Sequence, residues 1–547
     1  VVFGKGSPVQ PALLLTPLHH SLTMQGNIHN STSLGIQSMS KFSKIYCTTA
    51  LSLSLSTTAA LADVSNADVW GNWQGYMESM GYSITATEAT AGNVLTVSDF
   101  KMTMAVGPES EEMTATLPEL SFTEQGDGSV QISLAPLTKL SFEMSLETGE
   151  KIDAVVEYAQ DGLNMIATGE NGTFDYAYTA NAVDLTLQKL MIDGVDVGSN
   201  FATVNFGLKD ISGNSKITSD ELRSMSQSLN AGALTYDLAF SDPANDGKLK
   251  IKGALKDLTS NSNGTLPSAL AGMTDVNAML DTGFAANALM TYQGGEMDLA
   301  FDSPDGAGTA NTTSTGGAFE FAIGSEGITY NVSQTNLALS ALMPDIPLPI
   351  VVNMGLSKLN FAMPIRKSEE EQNFALGFTM GDFTISDMIW GMFDPAGQLP
   401  RNPATLALDL SGKAKVLFDF LDPDQAAALE SSGAAPGELN ALTLNSLVVD
   451  AVGARLTGTG DFTFDNTDLA SFDGMPRPTG AVDLKLSGGN GLLDKLVAMG
   501  FLPQEQAMGA RMMMGLFAVA GPEADTLTSK IEINDAGHII ANGQRIQ

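Results

Sequence analysis

The stretch LSFTEQGDGSVQISL, Leu120–Leu134, decides the fold. Leu120 and Phe122 alternate with polar residues, Gly126-Asp127-Gly128 turns the chain, and Val130, Ile132 and Leu134 alternate back. A period of two places every apolar side chain on one side of an extended backbone, and a Gly-rich turn between two such runs makes a hairpin. The pattern recurs along the chain. Met165 and Ala167 lead through Glu170-Asn171-Gly172 into Phe174, Tyr176 and Tyr178, and Asn-Gly is a favoured tight-turn dipeptide. Leu234, Tyr236, Leu238 and Phe240 form another run, followed by Leu249 and Ile251. Phe319, Phe321 and Ile323 face Ile328, Tyr330 and Val332 across Gly324–Gly327. Phe374 to Met380, Leu406 to Leu410, Val482 to Leu486 and Ile531 to Ile539 continue it. Strands with one apolar and one polar face predict antiparallel sheet. The expected fold is mainly β: one or two long, curved antiparallel sheets of many meandering strands, with short helices at the edges.

Helices are expected where the period changes. Val69, Trp70, Trp73, Tyr76, Met77 and Met80 recur at helical spacing after a capping Ser65 or Asn66, and Gly81 stops the run. Further helices are predicted over Ser219–Leu229, Pro267–Leu280, Pro423–Glu430, Gly491–Met499 and Pro503–Phe517. Gly306–Gly317 and Ser431–Gly437 read as loops or linkers. This places an N-terminal β-rich region at 63–305 and a C-terminal one at 318–547, the latter carrying a helical pair over 491–517. No repeat of fixed period stands out.

Lys41 and Lys44, the apolar run Ile45–Ala59 and Ala60-Leu61-Ala62 read as a signal peptide over 39–62. Residues 1–38, with no acidic residue and three of the four histidines, read as an upstream extension before a start at Met39. A long n-region is the alternative. Cleavage after Ala62 leaves a mature chain with a net charge of −38, no cysteine and one histidine, His538. Such a charge repels nucleic acid and anionic headgroups. Without Cys47 there is no disulfide, thiolate metal site or cysteine nucleophile, and one histidine cannot make a multi-histidine zinc site. Carboxylate chemistry, a Ser-Lys arrangement or no catalysis remain. No stretch of the mature chain is apolar enough to span a bilayer as a helix.

Candidate sites are few. Asp210-Ile-Ser-Gly-Asn-Ser-Lys-Ile-Thr-Ser-Asp-Glu221 has the length of a calcium loop, with Asp210, Asn214 and Glu221 at positions 1, 5 and 12. Ser215 stands where that loop needs Gly, and a strand-to-helix turn is the alternative. Trp70 and Trp73 form either a docking stripe on the core or an apolar ligand face. Met508, Met512 and Met513 either line a variable apolar site or belong to a core helix. No catalytic residue and no cofactor is nominated.

Four stretches together carry a resemblance: ADVWGNWQGYMESMG (Ala67–Gly81), ISDMIWGMFDPAGQLPRNPATLALDLSG (Ile385–Gly412), LLDKLVAMGFLPQEQAMGARMMMGLFA (Leu492–Ala518) and SKIEINDAGHIIANGQRIQ (Ser529–Gln547). They resemble the domain-of-unknown-function family 2125, exported proteins of Gram-negative bacteria. That resemblance implies export to the periplasm or outer envelope and a β-rich fold, and it transfers no site residues. A looser likeness, through the long alternating strands and the closing Asn542-Gly543-Gln544, is to AsmA-like envelope proteins, some of which hold lipid in a curved sheet. The expected function is therefore non-catalytic: binding lipid or another apolar ligand in a β-groove, with envelope proteins as possible partners. A structural or adhesive acidic β-protein and a carboxylate-based glycan hydrolase are the alternatives.

Overall fold

The computed structural model describes residues 64–105, 112–146, 149–170, 172–219, 222–242, 246–267, 276–344, 346–432 and 435–547. Among these residues the fold is mainly β, 66% strand, with 28 strand segments in one antiparallel sheet. Where two short segments follow each other they lie end to end against one long neighbour. Ala285–Tyr292 and Gly294–Ser303, for example, both pair with Gly247–Pro267. Read in this way, each row of the sheet pairs with the rows before and after it in sequence. The path is a single meander from Ser83–Ala91 to Gln544–Arg545. Among the described residues the first strand pairs only with Val94–Ala105 and the last only with Ile539–Ala541, so no hydrogen bonds close the sheet into a barrel.

The long strands share a feature that plain alternation does not show. In Leu222–Asp242, Met225, Leu229 and Ala231 are followed by Leu234, Tyr236, Leu238 and Phe240: the apolar phase slips from odd to even at Gly232. In Gly247–Pro267 it slips at Asp257, in Gly327–Met343 at Asn336, and in Gln372–Ile385 at Asp382. Asp99, Asp210, Asp257, Asn336 and Asp382 all adopt left-handed backbone, with φ between 49° and 52°. Such a residue kinks the strand and restarts the alternation, so the apolar side chains stay on one side of the sheet. Ile211 and Leu208, on either side of Asp210, both pack in one core. The kinks are also aligned between neighbours. Asp210 lies opposite Gly232, which lies opposite Asp257, and Gly355 lies opposite Asp382. A Cβ at Gly232 or Gly355 would meet the facing aspartate side chain. The result is a seam across the sheet, along which the strands bend.

Glycines on the apolar side of the sheet lie under aromatic rings of neighbouring strands. A Cβ at Gly213 would run into the ring of Tyr178, at Gly253 into Tyr236, at Gly317 into Tyr292 and at Gly412 into Phe374. Tyr178 reaches over Gly213 to donate to the Ser228 carbonyl at 2.9 Å. This explains why the Gly306–Gly317 linker expectation is overturned. The segment forms the strands Gly306–Ser314 and Gly316–Gly324, and its small residues accommodate the rings of Phe301 and Tyr292.

The helix Asn66–Ser79 closes the first rows. Ser65 and Asp68 make a reciprocal capping box. Trp70 is 2% exposed, edge-on to Phe100 at 5.2 Å, and its indole N–H donates to Glu88 at 2.7 Å. Trp73 stands against Phe122 at 5.5 Å and Tyr176 at 6.2 Å. The Tyr176 hydroxyl donates to Asn72 at 2.7 Å. These contacts bury the apolar face from Val94–Ala105 to Ala202–Ser219 in one core. A second, smaller core joins Val276 and Leu280 of the helix Val276–Asp281 to Ile365.

The expected helix over Ser219–Leu229 is instead strand, Leu222–Asp242. Leu222, Met225 and Leu229 mimic helical spacing, but partners on both edges take up the backbone hydrogen bonds. Of the expected Pro267–Leu280 helix, Val276–Asp281 is helical and 268–275 lie outside the described residues. Helices also form over Pro423–Ser432, Gly489–Ala498 and Gln504–Phe517. The expected signal peptide and upstream extension lie outside the described residues.

Replacing Trp70 with Ala is expected to cost about 3–5 kcal/mol and to strip amide-exchange protection from Val94–Ala105 before the distant strands. At the seam, Asp257→Val is expected to destabilise by about 1–3 kcal/mol, whereas Asp257→Gly stays near the parent. Thermal melts of the two variants make the comparison, and equal loss from both would refute the conformational argument.

Candidate functional site: an apolar sheet face open between two helical covers

Beyond the first core the same face of the sheet continues, covered by the helix Val276–Asp281 at the strand ends around Ile323, Ile328 and Met363 but open across the middle of these rows, until the last rows. Its residues follow from the register. Tyr292, Gly317, Gln334, Ser357, Met380, Leu406, Val449, Leu456, Leu486 and Leu527 are successive cross-strand partners, and partners directly opposite share a face. Leu359 and Leu376, on adjacent strands of this face, are 43% and 42% exposed. Phe206, Tyr330 and Val449 of the same face are also exposed. The opposite face carries the charges: Lys248, Lys250 and Lys252 run along one strand, facing Asp302, Ala300 and Asp298 on the next.

Polar groups interrupt the apolar face at the seam. Tyr292 crosses over Gly317, and Gln334 donates to its hydroxyl at 3.2 Å. Ser314 lies 3.4 Å from the same oxygen. This cluster could hold a hydroxyl or ester of an otherwise apolar molecule.

At the far end the helix Gln504–Phe517 lies over the face and leaves an apolar cleft of about 290 Å³, lined by Leu456, Leu486, Met513, Met514, Phe517 and Leu527. A larger depression of about 390 Å³ lies elsewhere, between Lys216, Thr218, Ser224, Asn263 and Thr265. Neither is lined by a carboxylate.

The sequence candidates divide accordingly. Trp70 and Trp73 belong to the first core and are not free for a ligand, because the helix that carries them is docked through those rings. Met513 lines the cleft, whereas Met508 and Met512 project into solvent. The calcium-loop reading is corrected. Asp210 and Asn214 lie in the strand Ala202–Ser219, paired on both edges, and Glu221 lies outside the described residues. Four residues of strand span about 13 Å, too far for two ligands of one ion. Asn214 instead accepts from the Ser228 hydroxyl. Among the described residues no three His, Cys, Asp or Glu side chains are grouped to hold a metal. The seam polar cluster escaped the sequence reading, since Tyr292, Ser314 and Gln334 are brought together only by pairing.

Asp394 is a buried carboxylate outside the face. It accepts from the backbone N–H groups of Gln398 and Leu399, both at 2.9 Å, and fixes the connection 386–403. Burial works to raise its pKa, but those N–H groups and the Arg401 charge outweigh it and hold the carboxyl below the usual range. A depressed pKa stabilises the fold above the ordinary carboxylate value, and that stability is lost as pH falls through the native value. The protection factor of the Leu399 amide is therefore expected to drop on acidification below about pH 4. In Asp394→Asn it should be low at all pH values.

No family model matches the chain, and no curated protein matches it. Among solved structures, the unliganded ferric citrate transporter FecA aligns over 84% of this chain and 76% of its own, at 7% identity and a TM-score of 0.12, a likeness that carries no argument.

Proposed function

We propose that the protein is a non-catalytic carrier or scaffold of the bacterial envelope whose open sheet face binds lipid or another apolar chain. The single observation behind this reading is the face itself. Large apolar side chains continue past the first core, and Tyr330, Leu359, Leu376 and Val449 stay exposed on that face, outside both helix-covered cores. An apolar face of this extent needs a partner, because exposed apolar surface is unfavourable in water. An elongated ligand lying along the seam would meet aliphatic and aromatic side chains on both flanks, with the Tyr292–Ser314–Gln334 cluster for a polar group. Export to the periplasm or outer envelope and membership of family 2125 are part of the same proposal, and rest on the signal-like segment and the quoted stretches.

Native mass spectrometry and solvent extraction of the purified protein test it. Co-purifying lipid is expected, and Leu359→Glu with Leu376→Glu, both on the open face and already half-exposed, should remove most of it without loss of fold. A protein with no extractable lipid, or with lipid retained by the double variant, would sink the proposal.

A further inference from the structure

Successive strands of a meander run in opposite directions, so every second connection lies at the same end of the sheet. From Gly327 onward, the connections 343–346, 385–404, 451–454 and 487–526 share one end. That end gathers an unusual set of exposed side chains. Leu342, Met343 and Ile346 form the first tip. Met388, Met392 and Phe393 follow on the helix Asp387–Phe393. On Gln504–Phe517, Met508, Met512 and Leu516 stand one turn apart and are 60%, 73% and 58% exposed, with Phe501 just before the helix. The pieces adjoin: a Cβ at Gly453 would lie 3.1 Å from Pro400 and 3.9 Å from the Lys495 amine. The four connections therefore make a rim roughly 30 Å long at about 4.8 Å per strand.

We propose that this rim docks on the surface of a lipid bilayer with uncharged headgroups, so that the open face stands beside the membrane that supplies its ligand. The inference rests on the apolar-ligand reading above. Charge selects the occupant. Each arginine of the rim is closed by an acid of the rim itself: Arg401 by Asp387 at 2.6 Å, Arg455 by Asp450 at 2.8 Å and Arg511 by Asp494 at 2.6 Å. That leaves Lys495 as the one basic side chain of the rim with no acid paired to it among the described residues, too little to hold an anionic surface against a chain of net charge −35. Geometry agrees. The exposed side chains belong to several separate connections and not to one helix face, so a groove that receives a single helix would not take them together. Flexible Met side chains insert shallowly into an acyl boundary at little ordering cost.

Flotation of the purified full chain with vesicles tests this, using phosphatidylcholine alone and phosphatidylcholine mixed with phosphatidylglycerol. Wild type is expected to float with the former and less with the latter. Met508→Ser, Met512→Ser and Leu516→Ser combined should weaken flotation at least tenfold with an unchanged melting temperature, since all three side chains are exposed. No flotation, flotation only with the anionic mixture, or flotation unaffected by the triple variant would each overturn the proposal. A specific complex of the rim with a protein in place of the bilayer would do so too. Extractable lipid in a protein that does not float removes the rim proposal alone; its absence from a protein that floats removes the ligand reading and leaves the rim.

Discussion

A strand that must keep one apolar face can pass a left-handed residue only if its alternation restarts there. In this protein that condition is met on strand after strand and at matching positions. Asp210, Asp257, Asn336 and Asp382 carry the kink on their own strands, and Gly232 and Gly355 leave room for the aspartates opposite. If one kink were absent, its strand would show polar side chains to the apolar face for the rest of its length. The seam thus ties the register of each row to that of its neighbours. Without it the long strands could not present a common face.

The two ends of that face are treated differently. At the first rows, Trp70 and Trp73 fill the space between helix and sheet, and the buried Asn72–Tyr176 hydrogen bond leaves that polar pair satisfied. Burial pushes the Tyr176 phenol well above its ordinary pKa, so it stays a neutral donor. At the last rows, the Met-rich helix covers the face loosely and leaves an apolar cleft beneath it. Methionine tolerates such imperfect packing because its chain is unbranched and polarizable. One cover is a closed core, and the other has room beneath it.

Much of the architecture could be read from residues alone. The Leu120–Leu134 hairpin forms as its alternation and turn require, with Leu120 opposite Leu134 and Phe122 opposite Ile132. The helix at Asn66–Ser79 and its Ser65 cap follow from spacing. Two errors share a cause. The small residues of Gly306–Gly317 looked like linker, and Leu222, Met225 and Leu229 looked like helix, because local composition does not show what lies across the next strand. A glycine beneath a tyrosine is a good strand residue only when that tyrosine is present. The Asp210 segment had the length of a calcium loop, yet pairing along both edges holds it extended.

The sequence by itself determined which residues extend, where most turns fall and which side chains of a strand lie together, since these follow from a period of two and from turn chemistry. It also set the charge that disfavours anionic partners. Tertiary structure decided the rest: the alignment of the kinks into a seam, the meeting of Tyr292, Ser314 and Gln334, and the gathering of Met508, Met512 and Met392 at one end of the sheet. The physical reason is that register relates residues on different strands. Hydrogen bonds between those strands fix it, and no single stretch of sequence contains them.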